Sequence, residues 1–242
     1  MKVSLFATCL TNAFYPEVDL TMAKILKHLG HTVDVPEGQV CCGQIAFNSG
    51  YVDDAREVAR TLIDSFERSE VVVGPSGSCI AMIHHYYPTL FEKEPVYLKK
   101  AEDLIHKSYE FTQFVVDVLN KPDLGAHYKA KATYHPSCHA TRLLGIGEAP
   151  LKLLQHVKGL ELLPLPEAQL CCGFGGTFSV KMPKISEAMV AEKAEHVLTS
   201  GADILLGLDM GCLMNISGYL EKINKPVKTM HIIQLLGEGM KS

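Results

Sequence analysis

The sequence predicts an α/β protein made of two tandem copies of one βαβ-type repeat, each with a mainly parallel sheet and its cysteine loops at the carboxyl edge. Three observations carry that expectation: cysteines repeated in matching order, short apolar runs that end at them, and helical periodicity between the runs. The 242-residue chain has eight cysteines in two sets: Cys9, Cys41-Cys42 and Cys79, then Cys138, Cys171-Cys172 and Cys212. Corresponding members lie 129, 130 and 133 residues apart, which reads as a duplication with small insertions. Both adjacent pairs stand in a Cys-Cys-Gly triplet, and each follows an extended, proline-containing stretch, TVDVPEGQV or ELLPLPEAQ.

The elements follow in order. VSLFATC ends in Cys9 after a short apolar run, and EVVVGPSGSC ends in Cys79 after a β-branched run broken by Gly and Pro; both read as buried strands. KATYHPSC and ADILLGLDMGC repeat the pattern before Cys138 and Cys212. Helices are expected over about 17–29, 52–69, 101–120, 149–158, 183–199 and 213–222, where apolar residues such as Val58, Leu62, Ile63 and Phe66 recur at helical spacing. Strands alternating with helices give βαβ units and a parallel sheet. The stretch KPDLGAHYKA, 121–130, is the expected link, so the repeats are assigned to 1–125 and 126–242.

Parallel sheets gather their strand-to-helix loops at the carboxyl edge, and every cysteine falls in or just before such a loop. Four thiols per repeat can therefore converge. Thiolates suit Zn²⁺ or an iron–sulfur cluster. Structural zinc sites draw ligands in local pairs, whereas here the ligand loops are separated by gaps of 31 and 36 residues, then 32 and 39. Adjacent α-carbons lie about 3.8 Å apart, short of the usual disulfide span of roughly 4.4–6.8 Å, so a vicinal bridge would be strained. Buried inert thiols, a Zn²⁺ scaffold and disulfides formed in air are the competing readings.

Composition narrows the classes further. Lys and Arg total 23 against 27 Asp and Glu, a formal charge of −4, which leaves no footprint for nucleic acid or anionic lipid. The first twenty residues lack a signal-like apolar core, and no uncharged run reaches the ~20 residues of a membrane span. A soluble, reduced, cytoplasmic protein is expected, in which eight cysteines serve metal or redox chemistry.

The pattern Cys9-x₃₁-Cys41-Cys42-Gly43…Cys79, repeated as Cys138-x₃₂-Cys171-Cys172-Gly173…Cys212, resembles the cysteine-rich CCG family, which includes the cysteine-rich subunit of heterodisulfide reductase and the iron–sulfur subunit of glycolate oxidase. The likeness covers nearly the whole chain. HPSCHATR (135–142) and CCGFGGTFSVKMPKIS (171–186) most resemble a short two-repeat branch without an added ferredoxin domain. The resemblance implies electron transfer through an iron–sulfur cluster in each repeat, of 4Fe–4S type and of noncubane form in some members. It implies a lactate-oxidising system with a ferredoxin-like iron–sulfur subunit, a further lactate-utilization subunit and a small 2-hydroxy acid as substrate. Other CCG proteins act on disulfides, so a disulfide or quinone reductase is the second enzymatic reading, and a zinc-bound scaffold the non-enzymatic one. The family motif closes with C-x-x-C, but here Ser76 and Asp209 stand three before Cys79 and Cys212, so cluster type stays open. Asp209 can add an oxygen ligand and Ser76 a weaker one.

Residues beside the thiols complete the expected site. Gly43, Gly173, Gly175 and Gly176 can let backbone approach a cluster and aim N–H groups at its sulfurs, against the plain alternative of a flexible turn. Read as a dinucleotide fingerprint, GFGG fails the spacing. Arg142 and Lys181 can offset cluster charge or hold a carboxylate, or simply be solvated. His135 and His139 flank Cys138 and can donate to a sulfur, ligate, or pass protons; a structural role is equally open. His84 and His85 follow Cys79, and only one of them can face the site. No hydrolase elbow, zinc-protease helix or Walker loop occurs.

Overall fold

The computed structural model describes Met1–Met240 and divides into two compact units, Met1–Phe114 and a second from Val115 on. The first unit holds four parallel strands: β1 (Lys2–Leu5), β2 (Thr32–Asp34), β3 (Val71–Gly74) and β4 (Ser108–Glu110), in the order β2-β1-β3-β4. The second holds β5 (His127–His135), β6 (Lys158–Leu163), β7 (Ile204–Gly207) and β8 (Lys228–His231), in the order β6-β5-β7-β8 and again parallel. Strand order and direction are thus duplicated along with the cysteines.

The central strands of each sheet are buried, which explains their unbroken apolar runs: Val72 and Val73 in β3, and Leu205 and Leu206 in β7, are fully covered. Helices cover them with one apolar face. Val52–Ser65 buries Ala55, Ala59, Leu62 and Ile63, while Pro16–His28 buries Val18, Met22, Ile25 and Leu26. Proline at the start of Pro16–His28, Pro95–Lys107 and Pro183–Thr199 sets the first helical φ without sacrificing a needed N–H. Among the described residues no helix is long and apolar enough to cross a membrane.

One expected helix is corrected. The segment 101–120 is interrupted: Pro95–Lys107 ends, Ser108–Glu110 forms β4, and helical turns resume at Phe111. Parallel pairing of Ser108, Tyr109 and Glu110 with Val72, Val73 and Gly74 outweighs the helical periodicity on either side. The Glu110 carboxylate then caps the next helix, accepting from the N–H groups of Thr112 and Gln113 at 2.8 and 3.2 Å. In the second unit His231 plays that part after β8, accepting from Ile233 N–H at 3.2 Å. The expected helices 17–29, 149–158, 183–199 and 213–222 form as Pro16–His28, Ala149–Gln155, Pro183–Thr199 and Met210–Lys222, and 52–69 ends early at Ser65.

Candidate metal centres

In each sheet the chain leaves the first strand for one neighbour and returns to the other, so the loops after β1 and β3, and after β5 and β7, diverge at the carboxyl edge. The cysteines line that crevice. Cys9 opens the helix Cys9–Phe14 after β1, Cys79 lies in Gly77–Ala81 after β3, and Cys41-Cys42 arrives on the loop after β2. In the second unit Cys138 opens Cys138–Arg142 after β5, Cys171-Cys172 follows β6, and Cys212 sits in the first turn of Met210–Lys222 after β7.

The glycine of each triplet has a steric task. Gly43 and Gly173 are left-handed, with φ of 85° and 79°. A β-carbon on Gly43 would lie 3.2 Å from the Ala55 carbonyl oxygen, and one on Gly173 would lie 2.8 Å from that of Ser186. Only glycine lets the paired cysteines turn inward while the backbone rests on the covering helix. Ser186 adds a hydrogen bond from its hydroxyl to the Gly173 carbonyl at 2.8 Å.

All eight cysteines are free thiols. Within each unit they form a chain of sulfur contacts, Cys9–Cys41–Cys42–Cys79 and Cys138–Cys171–Cys172–Cys212. Burial is graded: Cys42, Cys79, Cys172 and Cys212 are buried, Cys41, Cys138 and Cys171 half-buried, and Cys9 exposed. The proton distribution follows from crowding, because neighbouring thiolates repel while a thiol donates to a thiolate. Hydrogen bonds from Cys42 and Cys9 hold Cys41 down at about 3, and those from Cys138 and Cys172 hold Cys171 at about 2. Their partners move the other way: Cys9 is raised by its bond to Cys41, Cys42 by Cys41 and Cys79, Cys138 by Cys171, and Cys172 by Cys171 and Cys212. Cys212 is lowered to about 7 by Cys172, against burial, with His135 assisting.

The second centre carries additional polar groups. His135, at the end of β5, is 2% exposed, and its ligand atoms with those of Cys172 and Cys212 all lie within 4.8 Å of one another. His139 Nδ1 lies 3.4 Å from the Cys138 sulfur, and the Gly173 N–H donates to Cys171 Sγ at 3.4 Å. Asp209 is buried at the start of Met210–Lys222, where its carboxylate acts on Cys212 and Cys138. Asn215 Nδ2 donates to the Cys172 carbonyl at 2.8 Å. In the first centre that place on the Cys42 carbonyl is taken by the fully buried Tyr87 hydroxyl at 3.0 Å, and the Ser76 hydroxyl accepts from the Cys79 N–H at 3.3 Å.

Lys193 escaped the sequence reading. It is fully buried, and its ammonium donates to the carbonyls of Glu167 and Ala168 at 2.8 and 3.2 Å, clamping the loop that delivers Cys171 and Cys172. Burial pulls its pKa below the usual lysine value, while the neighbouring sulfurs of Cys172, Cys171 and Cys212 oppose that shift. Its position was legible in principle: Ser186, Val190, Lys193, Ala194 and Val197 form the buried stripe of Pro183–Thr199, and a lysine on such a stripe marks a buried charge.

The remaining candidates lie outside the sulfur cluster. Arg142 is exposed and donates to the Gln169 carbonyl at 2.8 Å, bracing the same loop from outside, and Lys181 is exposed at the end of Phe178–Lys181. Gly175 and Gly176 shape the turn into that helix, where the Gly176 carbonyl accepts from Ser179 at 3.0 Å. His84 Nε2 meets the Ser108 carbonyl and hydroxyl oxygens at 3.0 and 3.1 Å, tying down β4, and His85 is exposed.

This geometry agrees with what the chain is similar to. The model of the cysteine-rich CCG domain matches residues 3–84 and again 132–217, one copy in each unit. The chain belongs to that family. Lactate utilization protein A of Bacillus licheniformis is 55% identical over 98% of this chain and 99% of its own length. That of a Geobacillus species is 55% identical over the same shares, and lactate utilization protein A 1 of Bacillus mycoides is 53% identical over 100% and 98%. The family's paired cysteines are here a preformed soft-donor set: four converging sulfurs per unit, one buried imidazole in the second, and no disulfide among the described residues. Such a set fits a thiophilic metal ion or a metal–sulfur cluster.

Proposed function

We propose that the chain is an iron–sulfur electron-transfer component of a system that oxidises L-lactate to pyruvate. The observation that carries this reading is the pair of four-thiol centres, each assembled from three separate loops at a sheet's switch point. A bound cluster would supply one-electron chemistry that no side chain here offers. Cys9, Cys41, Cys42 and Cys79 would hold it in the first unit, and Cys138, Cys171, Cys172 and Cys212 in the second. The chain's own part is to shield the inner sulfurs, to aim the Gly173 N–H at Cys171, and to keep a cation, Lys193, beside an anionic site.

Oxidation of a 2-hydroxy acid to a 2-oxo acid releases two electrons and two protons. Two one-electron centres in one chain match that count, with a ferredoxin-like subunit as electron acceptor and a further lactate-utilization subunit completing the system. The names of the full-length relatives support the assignment to lactate utilization.

The test is iron, sulfide and zinc analysis, with EPR and Mössbauer spectra, on protein isolated without oxygen beside its Cys42→Ser and Cys172→Ser variants. Iron and sulfide lost one site at a time are expected. About one zinc per site, with no iron and no redox signal, would replace this reading with a zinc-bound scaffold. Deletion should abolish growth on lactate and spare growth on glucose; undiminished growth on lactate removes the physiological assignment.

A further inference from the structure

The two centres match in their cysteines and differ at a buried position three residues before the first of them: Phe6 in the first unit, His135 in the second. Phe6 is fully buried, packs edge-on against Phe66 with ring centroids 5.7 Å apart, and offers the first centre only hydrocarbon. His135 closes β5 in register with Gly207. It is buried, neither ring nitrogen makes a hydrogen bond of normal geometry, and it leans on the Cys212 thiol. Among the described residues the other fully buried imidazole is satisfied. The fully buried His231 accepts from the Ile233 N–H and meets the Leu208 carbonyl at 2.9 Å through its other nitrogen.

A buried polar ring whose nitrogens make no hydrogen bond of normal geometry is costly, and such a group marks a place for a ligand. The ligand atoms of His135, Cys172 and Cys212 lie within 4.8 Å of one another, close enough for one metal atom to bridge after side-chain adjustment. We infer that His135 is a nitrogen ligand of the second centre, which takes its metal on a mixed imidazole–thiolate set while the first remains all-sulfur. Residue type and burial both favour this: imidazole ranks with thiolate as a ligand for zinc, cobalt and iron, and Phe6 has no donor atom.

Where the metal is an iron–sulfur cluster, which rests on the function proposed above, the consequence is an asymmetry between duplicated sites. Imidazole is neutral where thiolate is anionic, and replacing sulfur by nitrogen raises a cluster's potential. Lys193 acts in the same direction; Leu62 is its counterpart in the first unit, seven residues beyond Ala55 as Lys193 is seven beyond Ser186, the residues that the two triplet glycines touch. Asp209 opposes both. Unequal centres give electrons a direction that two identical copies could not.

The experiment uses full-length protein labelled with ¹⁵N-histidine and isolated without oxygen, with pulsed EPR reading nitrogen couplings. One strongly coupled histidine nitrogen is expected, retained in Cys42→Ser and in His139→Gln and lost in His135→Phe. The His139 variant separates the two histidines of this centre even if His135→Phe fails to fold. Absence of any coupled histidine nitrogen in iron-loaded protein, or its loss in His139→Gln, overturns the assignment. In parallel, metal-free protein is titrated with Co²⁺ alone, and its visible bands and nitrogen couplings are read in the Cys42→Ser background. Nitrogen coupling to Co²⁺ in protein that never holds iron supports the ligand while refuting the iron–sulfur function, so the two failures are distinguishable. All-sulfur Co²⁺ bands there refute the ligand.

Discussion

Replacing Lys193 by Met keeps the side chain's reach and removes its charge and both of its hydrogen bonds. The substitution leaves the Glu167 and Ala168 carbonyls without the ammonium that bridges them at 2.8 and 3.2 Å. The Glu167 carbonyl keeps the Leu170 N–H at 3.0 Å, so what is lost is hydrogen bonding from a charged donor, about 1.5–3 kcal/mol per bond, and relief of the buried ammonium's desolvation returns part of it. The net destabilisation expected is about 1–3 kcal/mol. Glu167 sits at φ 45°, a conformation a non-glycine residue holds only under constraint, so loss of the clamp should let the loop before Cys171 and Cys172 relax. Groups that orient ligands typically alter metal affinity about 10–100-fold, and Lys193 also supplies a cation beside three of the thiols. Co²⁺ affinity of the second centre should therefore fall by about that factor, measured in the Cys42→Ser background, while Leu62→Met leaves the first centre unchanged when measured in Cys172→Ser. Folded Lys193→Met that binds Co²⁺ at the second centre as tightly as its parent would refute the reasoning.

Proton release, acid dependence and a steric test extend the same geometry. Metal binding near pH 8 should release at least two protons per site, from Cys9 and Cys42 in one and Cys138 and Cys172 in the other, because these raised thiols are protonated until metal displaces the proton; affinity then rises about a hundredfold per pH unit, and calorimetry in buffers of different ionisation enthalpy counts the protons. Neither Asp19 oxygen has a hydrogen bond of normal geometry, and burial pushes its carboxyl up to about 6, above its unfolded value near 4, so its stabilisation is complete below pH 4 and lost as pH rises through 6. Asp19→Asn should thus add up to ~2 kcal/mol at pH 7 and almost nothing at pH 4, read from urea unfolding at the two pH values. Gly173→Ala, with its added β-carbon 2.8 Å from the Ser186 carbonyl oxygen and a φ of 79°, should cost about 2–4 kcal/mol and empty the second centre, whereas Gly43→Ala, at 3.2 Å, should cost less in the same thermal-melt and metal-content assays.

Much of the architecture was readable because it repeats. Two sets of four cysteines, each at the end of an apolar run or in a Cys-Cys-Gly triplet, announced the duplication, the parallel sheets and the edge at which the thiols gather. Local patterns failed where pairing decided. Ser108–Glu110 lies between two apolar-periodic stretches and reads as helix, yet β3 had an open side that only this segment fills. Lys228–His231 has too little apolar character to stand out, and becomes a strand by pairing with β7.

The site divides along the same line. Cysteine spacing, the glycine after each pair and the identity of every thiol follow from covalent order, since ligand type and chain reach are properties of the sequence itself. Which neighbours serve those thiols is a matter of orientation. His135, His139, Arg142 and Lys181 were equal candidates by proximity, and the end of β5 turns only His135 into the buried core of the centre, while Arg142 braces a loop from outside. Lys193 stands 21 residues beyond Cys172 and enters the site because the helix Pro183–Thr199 lays its buried stripe against the ligand loop. Direction of a side chain depends on packing between elements distant in sequence, and that only the folded structure decides.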